Sequence, residues 1–167
     1  MPGKPPGTHT ITPHITSSNA AKAIDFYKNA FGAEEITRSA TPDGKLMHAS
    51  LRIGDSLLML SDEFPEMGGA QAPRGGKVPY VLHTYWDNVD QVWDRAVKAG
   101  AKVVMPLTNM FWGDRYGHIE DPFGYTWAMA TRIEEITPEE AERRGKEMFK
   151  NFKPGKICAE QEAATVK

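Results

Sequence analysis

Apolar positions recur along the chain in a fixed succession of periods. At 10–16, Ile11 and Ile15 stand among polar residues, the alternation of a half-buried strand. Asn19 then offers a side-chain oxygen for capping. Ile24, Tyr27 and Phe31 repeat at i, i+3 and i+7, and Gly32 supplies a stop, so a helix is predicted there. Residues 33–40, 46–53 and 56–61 read as three strands, separated by Pro42-Asp43-Gly44 and by Gly54-Asp55. The order is β-α-β-β-β.

The stretch 62–78 is rich in Gly, Pro and polar residues and reads as a long connection, a kind of loop that often carries function. After it the same order returns. A strand is predicted at 79–86, then a helix capped by Asn88, striped by Val89, Val92, Trp93 and Ala96, and ended by Gly100. Strands follow at 101–105, 116–120 and 125–131, the last two joined by the turn Asp121-Pro122-Phe123-Gly124. Asp121 is expected to hold that turn by side-chain-to-backbone hydrogen bonds. At an offset of 69, His14 falls on His83, Asn19 on Asn88 and Ile24 on Trp93, so the repeat lies in pattern rather than in letters. Finally, Thr137-Pro138-Glu139-Glu140 combines an N-cap, a first-turn proline and a capping-box glutamate, which predicts a helix over 139–151.

Two βαβββ modules in pseudo-two-fold arrangement predict an α+β fold, a continuous, curved mixed sheet around a cleft, plus a C-terminal helix. The expected boundaries are a flexible arm at 1–9, one domain over 10–135 and a C-terminal helix and tail over 136–167. Within the domain the modules span 10–64 and 79–132, with a linker at 65–78. A cleft between half-sheets is where a small molecule would bind.

Composition narrows the partners. With 20 Lys+Arg against 22 Asp+Glu in 167 residues, the net charge of −2 offers no field for polyanions, so no nucleic acid is expected. The longest apolar run, 57–60, is far short of a membrane span, so no membrane partner is expected either. One cysteine, Cys158, excludes an internal disulfide or a CxxC site. The opening MPGKPPGTHT has no apolar signal core, and a reducing, cytoplasmic setting is expected. The chain carries no GxSxG elbow, P-loop or GxGxxG fingerprint.

Three motifs resemble a known family. They are Ala23-Ile24-Asp25-Phe26-Tyr27-Lys28-Asn29-Ala30-Phe31-Gly32-Ala33, Leu51-Arg52-Ile53-Gly54-Asp55-Ser56, and Phe111-Trp112-Gly113-Asp114-Arg115-Tyr116-Gly117 running into Asp121-Pro122-Phe123-Gly124-Tyr125-Thr126-Trp127. Over 10–136 the chain resembles the vicinal oxygen chelate (glyoxalase, bleomycin-resistance and extradiol-dioxygenase) superfamily, and within it the PhnB-like group. The resemblance implies the glyoxalase fold and a homodimer with shared clefts. It implies little about activity, since one fold hosts many chemistries.

Metal-dependent members of that superfamily place His or Glu on the first and last strands of each module. Matching puts those corners at Thr12, Met59, Val81 and Ala128, none of them a ligand for a divalent ion. His14 and His83 lie two residues beyond two of these corners and share their strand faces. Two readings therefore stand. In one, the chain is a metal-independent small-molecule-binding protein with no cofactor, holding an amphipathic or aromatic ligand. Its candidate lining is His14, Met59, His83, Tyr85, Trp112, Asp114, Arg115 and Tyr116, with Asp114 and Arg115 as polar handles. Trp112 is the strongest pocket candidate, because the 111–115 turn interrupts a strand pattern. In the other, a divalent metal held by His14, His83 and the acidic Glu63 serves a lyase, isomerase or dioxygenase. His48 and His118, in the third strand of each module, are read as structural or pocket-lining.

Overall fold

The computed structural model describes residues 3–5, 7–75 and 78–150. The expected tail, with Cys158, lies outside the described residues. The first module comprises β1 (His14–Ser17), α1 (Ala20–Phe31), β2 (Glu34–Ala40), β3 (Leu46–Ile53) and β4 (Ser56–Asp62). The second comprises β5 (Leu82–Tyr85), α2 (Val89–Lys98), β6 (Lys102–Asn109), β7 (Asp114–Glu120) and β8 (Thr126–Arg132), and α3 (Pro138–Lys150) follows. One 3-10 turn, Pro65–Met67, interrupts the linker.

The helices form where capping and periodicity place them. The Asn19 side chain accepts the Lys22 N–H at 2.9 Å, and Gly32 closes α1 in the left-handed conformation. Asn88 accepts the Gln91 N–H at 3.2 Å at the start of α2. Each helix start is also tied to the end of its module's last strand. Asp62 accepts the Ala20 N–H at 2.7 Å, and Thr131, 69 positions later, accepts the Val89 N–H at 2.8 Å.

The strand order is β1-β4-β3-β2 in one sheet and β5-β8-β7-β6 in the other, with β1 and β5 parallel to β4 and β8. The registers of the parallel pairs repeat. His14 stands beside Met59 and His83 beside Ala128, and Thr16 beside Ser61 as Tyr85 beside Ala130. The two βαβββ modules and the C-terminal helix are as expected, but the single continuous sheet is not. The eight strands form two separate four-stranded mixed sheets. The modules meet instead through α1, α2 and one shared apolar core, which leaves β1 and β5 as sheet edges.

Two strands begin later than the alternation suggests. β1 starts at His14 and β5 at Leu82; ahead of them Ile11 is largely exposed and Val81 about half exposed. β6 is longer than expected and passes through Pro106. The proline sits in an irregular stretch of an edge strand, where its missing N–H costs no ladder bond.

The modules are locked by the turn at Asp121. Its Oδ1 accepts the Phe123 and Tyr125 N–H groups, both at 2.9 Å, as the turn chemistry predicts. Its Oδ2 accepts from the Tyr27 hydroxyl of α1 at 2.8 Å and from Trp127 Nε1 at 2.9 Å. Tyr125 completes the seam: its hydroxyl accepts the Thr16 N–H at 3.1 Å and donates to the Thr16 carbonyl at 2.7 Å. Around these polar groups Phe31 packs on Trp127 with ring centroids 4.6 Å apart, and Tyr27 on Trp127 at 5.4 Å. Asp121 is buried, and burial raises its pKa although its four donors oppose the shift. Replacing Asp121 by Ala strands those donors and is expected to cost about 3–5 kcal/mol, against about 1–2 kcal/mol for Tyr27→Phe. Urea unfolding of both variants checks the order and the gap.

Candidate functional site

Strand alternation divides β7 between two faces. Arg115, Gly117 and Ile119 turn toward α2: Ile119 is buried in the core, and a Cβ on Gly117 would meet Trp93 of α2 at 2.8 Å. Asp114, Tyr116 and His118 turn the other way, where His118 pairs with Ala128 and Tyr116 with Ala130. β5 adds His83 and Tyr85 to that face, and His83 also stands beside Ala128. The second sheet therefore carries an aromatic wall on the face away from α2. His83 lies 4.8 Å from Tyr85 and 5.6 Å from Tyr116, ring centre to ring centre. Trp112 meets Tyr116 edge-on at 5.4 Å, and Tyr116 meets His118 at 5.0 Å.

The wall is fixed at its base by one carboxylate. Asp114 is 1% exposed, and its Oδ2 accepts from Trp112 Nε1 at 2.9 Å and from the Tyr85 hydroxyl at 3.1 Å. Arg132 Nε approaches Oδ1 to 2.9 Å as an ion pair, at an angle too poor for a hydrogen bond, so that oxygen keeps open acceptor capacity. Trp112 is presented by a tight turn. Gly113 has φ +87°, and a Cβ there would lie 2.3 Å from the Glu134 carbonyl, so only glycine fits. The Gly113 carbonyl accepts from Ile133 and Glu134, and Arg132 Nη1 donates to the Trp112 carbonyl at 3.0 Å.

The predicted lining thus separates into groups. His83, Tyr85, Trp112, Asp114 and Tyr116 come together on the second sheet. Asp114 is a buried support there rather than an exposed handle. Arg115 is not part of the wall: it faces α2, where its guanidinium grips both oxygens of Asp90 at 2.7–3.0 Å. Adjacent strand residues point oppositely, which parity at 114–116 already required. His14 and Met59 lie side by side on the first sheet, with Ser50 the antiparallel partner of Met59. His14 meets His48 edge-on at 5.8 Å, and His48 Nε2 lies 3.0 Å from Ser50 Oγ. His118 and Arg132 were not singled out as binding residues. The i, i+2 spacing from Asp114 through Tyr116 is the signal that finds His118, whereas only the fold brings Arg132 to Asp114.

A cavity of about 950 Å3 opens beside this wall. It runs along β5, between the segment at Ile11 and Pro13 and the β3–β4 turn; of the wall only His83 and Tyr85 line it, and Trp112, expected as the strongest pocket residue, stands outside it. Exposed Tyr80 and Val81 stand near the start of β5, and Tyr85 is itself 59% exposed. Burial first, and then the Asp114 hydrogen bond, holds the Tyr85 phenol above its ordinary pKa of 10; burial and Tyr85 do the same for Tyr116. Both phenols are thus neutral donors at pH 7.

The donor set does not suit a divalent ion. The register places His14 and His83, rather than Thr12 and Val81, directly beside Met59 and Ala128, because β1 and β5 start late. Met59 and Ala128 offer such an ion no useful ligand; at this level the first sheet supplies His14, and the second supplies His83 and His118 on either side of Ala128. Glu63 is engaged elsewhere. It accepts the Ala72 N–H at 2.6 Å and pairs with Arg74 at 3.0 Å, pinning the linker. Among the described residues no group of three or more His, Cys, Asp or Glu converges.

Comparison with known proteins agrees with this architecture. The family model described as the glyoxalase/bleomycin resistance protein/dioxygenase superfamily matches residues 8–129. An uncharacterized protein of Mycobacterium tuberculosis, Rv0887c, is 43% identical over 133 residues, covering 78% of this chain and 78% of its own. The structure of TioX from Micromonospora sp. ML1 superimposes with a TM-score of 0.60 at 23% identity, covering 75% of this chain and 99% of its own. The PhnB protein of Bacillus cereus gives 0.60 at 18% identity, covering 74% and 99%.

Loss of surrounding water, then the neighbouring imidazole of His83, holds the His118 pKa below the usual 6.5. His14 is lowered in the same way, by burial and then by His48, though it is the more exposed of the two. A depressed folded pKa means that the unfolded chain binds more protons below 6.5, so stability falls as pH drops through that window. His118→Gln is expected to flatten the melting-temperature profile between about pH 7 and 5. A histidine NMR titration in which His118 protonates at or above 6.5 contradicts this.

Proposed function

The chain belongs to the glyoxalase/bleomycin resistance protein/dioxygenase superfamily, and on that footing we propose that it is a metal-independent small-molecule-binding protein holding an amphipathic or aromatic ligand. One observation carries the reading: Tyr85 and Trp112 are both tied by their polar ends to the buried Asp114, which keeps their rings fixed in the wall. Rings immobilised in this way lose little entropy when a planar ligand stacks on them, and each aromatic contact adds about 0.5–1.5 kcal/mol beyond area burial. The Tyr116 hydroxyl and His118 Nε2 are hydrogen-bonded to each other, and His83 beside them supplies a polar contact for the ligand's hydrophilic edge.

A homodimer belongs to the same reading. The cavity along β5 is open and rimmed by exposed Ile11, Val81 and Tyr85, and a second copy seated over it would enclose the ligand. Among the described residues no helix is long and apolar enough to cross a membrane, and a cytoplasmic setting completes the proposal.

The divalent-metal reading is kept as the competing outcome, because His14 and His83 occupy matched positions in the two parallel pairs. The test uses 8-anilinonaphthalene-1-sulfonate, a planar amphipathic probe, titrated with and without EDTA. Binding is expected to be indifferent to EDTA and to weaken roughly tenfold in Tyr85→Ala, the loss of one stacking contact. Light scattering should give a dimer mass. Near-stoichiometric metal in protein purified without added metal, lost in His14→Ala, would overturn the metal-independent reading.

A further inference from the structure

The helix α3 lies beyond residue 129, where the family match ends, yet it is in contact with the proposed site. Its charged side chains are largely paired along the helix: Arg143 with Glu140 and Glu147, Lys146 with Glu142. Its one buried residue is Gly145. A Cβ built there would sit 3.0 Å from Cε2 of Phe111 and 3.4 Å from its Cζ, so the helix backbone rests directly on that ring. Phe149, one turn on, meets the same ring edge-on at 6.4 Å. Phe111 in turn stands edge-on to Trp112 at 4.8 Å, and Trp112 is both the Asp114 donor and the neighbour of Tyr116. A second tether runs through charge: Arg144 grips both oxygens of Glu134 at 2.7 and 2.8 Å, and the Glu134 N–H binds the Gly113 carbonyl next to Trp112.

We propose that α3 is a positioning brace, in which Gly145, seated against Phe111, sets the position of Trp112 in the ligand-binding wall. The inference rests on the binding reading above. Glycine is the poorest ordinary residue for a helix interior, and a side chain at this position would drive Phe111 toward Trp112. Gly145→Ala or Gly145→Leu therefore strengthens the helix while disturbing the contact, so the two effects separate.

The full chain is labelled with 5-fluorotryptophan, which gives resonances from Trp86, Trp93, Trp112 and Trp127; Trp112→Phe assigns the third. Gly145→Ala is expected to shift the Trp112 resonance alone, and Gly145→Leu to shift it further. Arg143→Ala, on the outer charge-paired face, should move none. Affinity for 8-anilinonaphthalene-1-sulfonate should fall roughly threefold to tenfold in the Gly145 variants, the size of one aromatic contact. The brace is overturned if Trp112 stays still in Gly145→Ala, or if all four resonances move together, which would mark α3 as a general prop of the fold. The two ideas fail separately. A wild-type probe titration that leaves Trp112 untouched rejects the binding reading, whereas the ligand-free shift judges the brace.

Discussion

The structure depends on a carboxylate that is expensive to bury. Asp121 sits out of water between the modules and is retained because four donors converge on it, two from its own turn and one each from Tyr27 and Trp127. The helix-to-turn bond spans the join between the two halves, and it fixes how α1 stands against the second sheet. Everything that gives the aromatic wall its place follows from that seam, since β5 and β8 run on from the same core.

A second buried carboxylate, Asp114, uses the same physics for a different end. Asp121 gathers its donors inside the core, whereas Asp114 gathers Trp112 and Tyr85, the latter a lining residue of the open cavity. Its neighbours are rings on the side of the sheet away from α1 and α2, so its hydrogen bonds immobilise surface rather than filling. Arg132 balances its charge without saturating it. The two halves of the molecule share a backbone frame but not this arrangement. Where the second sheet has Tyr116 and His118, the first has His48 and Ser50.

Local chemistry made the elements legible. The Asn19 and Asn88 caps, the stop at Gly32 and the Asp121 turn each need only a few adjacent residues, and each is present. The repeat at an offset of 69 was equally readable, since it became a repeated register. The starts of β1 and β5 were misjudged because the residue pattern at 10–13 and 79–81 says nothing about whether a partner strand reaches them. Arg115 was misplaced because motif adjacency was followed where strand parity should have ruled. The split into two sheets could not be read, for it turns on contacts such as Tyr27 with Asp121, separated by 94 positions. The pairing of Arg132 with Asp114 was hidden for the same reason.

Tyr125 has an effect beyond joining the halves. Its phenol occupies both the amide and the carbonyl of Thr16 on the outer side of β1, which is the border of the first sheet. Exposed borders of that kind invite foreign strands to zip on and seed fibres, and proteins commonly blunt them. Here a side chain from the other half acts as the stopper, so an accident that pulled the halves apart would at the same moment uncover a surface prone to aggregate.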